Sequence, residues 1–141
     1  MVYKRKQSVV FKTHAVIGAL GLVTFLLTGQ YMDLRYDHLH GMESQPRLLF
    51  RSAHIYLLFS SLLNLMLGVY GRMAHQGLQR QLQRLGSILI AVGPPLFVLA
   101  FVKEPWLQDL TRPFARPGIY AAAAGVLLHV AGAWRNPRHP E

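Results

Sequence analysis

Residues 85–102 read LGSILIAVGPPLFVLAFV, eighteen positions between Arg84 and Lys103 without a formal charge. A helix rises about 1.5 Å per residue, so a run of this length crosses most of the roughly 30 Å hydrocarbon core of a bilayer. It lacks the polar stripe that a helix on the surface of a soluble bundle requires. Outward from this stretch the pattern repeats. Lys12 and Asp33 enclose twenty uncharged residues, Arg51 and Arg72 twenty, and Arg116 and Arg135 eighteen.

Composition agrees. Of the 141 residues, 52% are apolar and 15% charged, against about 25% charged in soluble domains. The expectation is an all-α polytopic membrane protein, a four-transmembrane-helix up-down bundle. A single membrane domain covers 1–141, with spans at about 13–32, 52–71, 85–102 and 117–134. The first span follows Lys4, Arg5 and Lys6, as a signal peptide's apolar region would. No small-residue cleavage site leads from it into a polar domain, so it reads as a retained helix. The absence of cysteine excludes disulfides, thiolate metal sites and cysteine nucleophiles.

The charge distribution orients the bundle. The N-terminus, second connection and C-terminus share one side and hold nine of the fifteen Lys and Arg residues. Basic residues near span ends are retained in the cytoplasm, so both termini are expected inside a bacterial inner membrane. This accounts for the net charge of +9 without nucleic acid. Tyr31, Tyr36, Tyr70, Trp106, Tyr120 and Trp134 stand near span ends, where aromatic anchors belong.

The connections carry weaker signals. The second, RMAHQGLQRQLQR, spaces Leu78, Leu82 and Leu85 as a helix does, as an interfacial turn or an extension of the neighbouring spans. In the third, Trp106, Leu107, Leu110 and Phe114 fall at helical spacing between Pro105 and Pro117, which predicts a short surface-lying helix. Within the third span, Gly93-Pro94-Pro95 removes two backbone donors, leaving the Ile90 and Ala91 carbonyls without helical partners. The third helix is therefore expected to be interrupted in mid-membrane, either as a tolerated kink facing other helices or as a broken helix lining a site.

Polar residues inside spans are the main pointers to chemistry in such a protein. No Asp, Glu, Lys or Arg lies in the four uncharged runs, which argues against an ion-coupled pump. His14 opens the first span and His129 lies in the fourth, both in the cytoplasmic half. In an up-down bundle these helices are expected to be neighbours. His14, Gly18, Gly21, Phe25 and Thr28 share one helical face, as do Gly118, Ala122, Gly125, His129 and Gly132. Imidazoles with glycines on one stripe supply axial ligands and clearance for a flat macrocycle. Small-residue stripes also let helices pack closely with no cofactor at all. In scale and in its intramembrane histidines the chain resembles small cytochrome b-type membrane subunits, a likeness of architecture rather than of motif.

In the second span, Tyr56, Ser60 and Asn64 step by four, and Asn64 in mid-span requires a partner. Arg51 and His54 sit one turn apart at the opposite face, placed to hold an anionic headgroup or a quinone oxygen. Asp37, His38, His40 and Glu43 in the first connection include a His-x-His pair of the kind that binds copper or zinc when folded suitably. No nucleophile motif, phosphate loop or zinc-protease signature occurs.

The leading expectation is a non-enzymatic subunit, assembly factor or scaffold whose partners are the lipid bilayer, other membrane subunits or itself. The second is a haem b electron-transfer or anchor protein with His14 and His129 as axial ligands. The third is a small transporter or channel around Asn64 and the helix-three break.

Overall fold

The computed structural model describes residues 9–72, 74, 77–107 and 110–134. Four helices account for most of them: α1 (Val9–Tyr36), α2 (Ser44–Tyr70), α3 (Gly77–Lys103) and α4 (Ala115–Trp134). All four are long and apolar enough to cross a membrane. The protein is a polytopic four-helix membrane bundle. The residues Lys4, Arg5, Lys6 and Arg135 used in the orientation argument lie outside the described residues, as do His75 and His139.

The helices outrun the uncharged gaps. At 27 residues, α2 and α3 each extend about 40 Å. Backbone groups entering the headgroup region still need partners, and flanking Arg and Lys side chains reach water from there. The second connection becomes mainly the first turns of α3, which starts at Gly77. Gln83 anchors the rest, accepting from the Ala74 amide at 2.6 Å and donating to the Arg72 carbonyl at 3.1 Å.

α1 stops where Asp37, His38 and Leu39 take left-handed backbone angles (φ 44°, 54° and 67°). Three successive left-handed non-glycine residues are unfavourable, and burial of Leu39 in the bundle holds them. Among the described residues of the third connection, Leu107 and residues 110–114 do not form the expected surface helix. Glu104–Trp106 makes one 3₁₀ turn, and Arg112 adopts φ 53°. The cause is Glu104, whose carboxylate takes the backbone N–H groups of Phe114 and Ala115 at 2.9 and 2.7 Å. That contact ties the end of α3 to the start of α4.

α3 is not broken. It runs as one α-helix through Pro94 and Pro95. Side-chain donation replaces part of what proline removes: Asn64 Nδ2 reaches the freed Ile90 carbonyl at 3.2 Å.

The packing order also departs from expectation. α1 packs along α2, α4 packs along α3, and the α2–α3 contact joins the two pairs. α1 and α4 do not form a packed interface. Glycine placement explains this. A Cβ at Gly18 would stand 2.6 Å from the Leu65 amide nitrogen, and one at Gly68 would stand 2.5 Å from that of Ala15. On the other side, a Cβ at Gly86 would lie 2.6 Å from the Gly125 carbonyl, and one at Gly125 would lie 2.8 Å from that of Gly86. Each small-residue stripe is spent on one neighbour, and closing the ring would need a further one.

The two ends of the bundle are built differently. The end bearing the first and third connections (the loop end) contains the apolar cluster of Leu39, Phe50, Ala53, Leu57, Phe97, Ala100, Phe101 and Ala115. The opposite half (the termini end) buries His14, Asn64, Gln83, Ser87 and His129.

Candidate functional site

The two helical faces read from sequence are the buried ones. On α1 the buried residues include His14, Gly18, Gly21 and Thr28; on α4 they include Gly118, Ala122, Gly125, His129 and Gly132. Burial of a face follows from its small residues, because backbones meet where side chains are short.

Asn64, fully buried, is the centre of the polar half. Its amide nitrogen donates to the Ser60 carbonyl at 2.8 Å and to the Ile90 carbonyl at 3.2 Å. Both carbonyls can only accept, so both amide hydrogens are used and Oδ1 must face His14 Nδ1, 2.7 Å away. His14 therefore donates through Nδ1–H, and in its neutral form carries its lone pair on Nε2. One side chain on α2 thus binds α1 and α3 together. Ser60 and Ser61 return their hydroxyls to the Leu57 carbonyl, as hydroxyl groups in apolar helices do.

His129 belongs to a separate contact. Its Nε2 lies 3.1 Å from Ser87 Oγ, a bond between α4 and α3. His14 and His129 thus hydrogen-bond within different helix pairs. The glycines beside them are covered by neighbouring backbone: Gly18 by α2, Gly125 by α3. The Nδ1–H bond to Asn64 orients the His14 ring and leaves Nε2 free, as in ligating histidines.

The remaining sequence candidates lie at the loop end. His54 stacks on Phe25 at 4.1 Å, and its Nδ1 stands 2.8 Å from Thr28 Oγ1. The Thr28 hydroxyl donates to the Phe25 carbonyl, so His54 donates through Nδ1. His38 pairs with Asp33 at 2.8 Å, and His40 lies 3.6 Å from Asp37. No group of three potential metal ligands forms among the described residues.

Sequence reading missed the role of Glu104. Only 1% exposed, it caps α4 with one oxygen and accepts from Arg112 Nε at 3.3 Å with the other. Arg112 also donates to Ser52 Oγ at 2.8 Å and lies over the Tyr56 ring, so the unit reaches α2. The signal available was an acid next to Pro105 at a span end, followed eight residues later by an arginine.

No protein-family model matches the chain, and comparison with curated proteins and with solved structures found no match.

Proposed function

We propose that this protein is a non-enzymatic component of a bacterial inner membrane, a subunit, assembly factor or scaffold acting through helix packing. The observation supporting this reading is where the span polar groups go. Asn64 ties three helices, Ser87 and His129 tie a third to the fourth, and Thr28 with His54 reinforces the first pair. The outward faces are lined by residues such as Leu20, Leu27, Phe59, Met66, Ile88 and Leu127, which suit lipid or another apolar helix. Partners on this reading are the lipid bilayer and further membrane subunits or a second copy, with both termini cytoplasmic.

Mild-detergent extraction followed by size separation and cross-linking tests the proposal. Elution within a larger membrane assembly or as a homo-oligomer is expected. A monomer that cross-links to nothing in native membranes refutes it. A reporter fused after Glu141 should be active only in its cytoplasmic form.

A second reading, haem b held by His14 and His129, retains one supporting observation, the Nδ1–H donation that frees His14 Nε2. Purification from haem-replete cells decides it. A Soret band lost in His14→Ala would establish it, and a featureless visible spectrum would remove it.

A further inference from the structure

Among the described residues, Arg51 has no carboxylate within ion-pair distance and no hydrogen-bond partner, unlike the half-buried Arg112 at the same end. It borders a cavity of about 310 Å³ together with Gly29, Met32, His38 and Leu39. Three elements meet there: the last turns of α1, the left-handed turn at Asp37–Leu39, and the third turn of α2. The left-handed angles do two things at once. They bury Leu39 in the apolar cluster and bring His38 to the rim of the cavity.

Depth narrows the ligand. Arg51 lies seven residues after Ser44, the first residue of α2, about 10 Å along the helix. It is also the last charged residue before the uncharged run 52–71. That is the boundary of the hydrocarbon, where phospholipid phosphates sit. The cavity wall changes character at the same level. Arg51 and His38 supply its polar groups, while Gly29 and Met32 provide bare backbone and apolar surface. Guanidinium groups hold phosphate oxygens through paired N–H donors.

We propose that this cavity is a site for the phosphodiester group of a membrane phospholipid, held by Arg51 with His38 at its rim, its glycerol and upper acyl carbons lying against Gly29 and Met32. Gly29 keeps the space open. A Cβ there would meet only the His54 ring edge, at 3.4 Å, an ordinary van der Waals contact. The proposal is independent of the scaffold reading.

Native mass spectrometry of the detergent-solubilised full chain provides the test, with phosphatidylglycerol, diacylglycerol and glycerol 3-phosphate as probes. The wild type should retain phosphatidylglycerol but not diacylglycerol, which lacks the phosphate. Arg51→Gln should lower retention about tenfold, the equivalent of losing one charge-assisted bond. Arg35→Gln, which removes an exposed charge from the same end, should leave it unchanged. Gly29→Leu fills the cavity without removing charge and should weaken retention comparably, so the test stands if Arg51→Gln does not fold. Equal retention by Arg51→Gln and wild type overturns the site, as does equal loss in Arg35→Gln. Retention of diacylglycerol, or displacement by equimolar glycerol 3-phosphate, overturns the assignment to a lipid phosphate.

Discussion

The two halves of this bundle solve the same problem with opposite chemistry. At the termini end, hydrogen bonds hold the helices through an amide, two imidazoles, a hydroxyl and a proline-freed carbonyl. At the loop end an apolar cluster does most of the packing, and one buried ion pair closes it. Neutral hydrogen bonds are tolerable deep in a span, because each member is satisfied by another and no charge is desolvated. A buried carboxylate is tolerable only with a cation and backbone donors at hand, which confines Glu104 to the place where α4 begins and its first N–H groups are unpaired.

That contrast predicts unequal sensitivity. Replacing Glu104 by Ala removes the cap of α4 and leaves Arg112 without its acid, so it should be the most damaging change. About 3–5 kcal/mol is expected from breaking such a pair, measured as loss of helicity on denaturant titration in detergent micelles. A stable Glu104→Ala protein would erase the distinction between the halves.

Next in size is Gly86→Val. Its Cβ would enter the space of the Gly125 carbonyl, 2.6 Å away, and backbone cannot yield as a side chain can. Overpacking of this kind costs about 1–3 kcal/mol. The same titration, with proteolysis of the α3–α4 pair as a second readout, should show it. Resistance equal to wild type would mean that α3 and α4 are not in glycine contact.

Asn64→Leu should follow at about 1–2 kcal/mol, since hydrogen bonds within membranes contribute modestly. A double-mutant cycle with His14→Leu sharpens this, because the 2.7 Å bond requires the two changes to be non-additive. Strict additivity would separate His14 from Asn64. Ser87→Ala should be mildest, below about 1 kcal/mol, as it removes a single 3.1 Å bond between α3 and α4.

Much of this was open to reading in one dimension. The four spans follow from uncharged runs, and the buried faces of α1 and α4 from small residues at helical spacing. Asn64 was recognisable as a residue in need of a partner. The surface helix of the third connection was misjudged because Trp106, Leu107, Leu110 and Phe114 have the right period while Glu104, outside that period, decides the path. The break at Gly93-Pro94-Pro95 was misjudged for a related reason. Proline's missing donor is a local fact, but the group that replaces it comes from another helix.

Four membrane-crossing helices, and which face of each outer helix is buried, were determined by the sequence alone, because hydrocarbon thickness and helical periodicity act on each segment separately. Only the tertiary structure decided which stripe meets which. It set α1 on α2 and α4 on α3, sent His14 to Asn64 and His129 to Ser87, kept α3 whole, and drew Glu104 onto the end of α4. Small residues license a close approach without naming the partner. The partner is chosen where backbone contact and hydrogen-bond satisfaction are achieved together, a condition that no single segment contains.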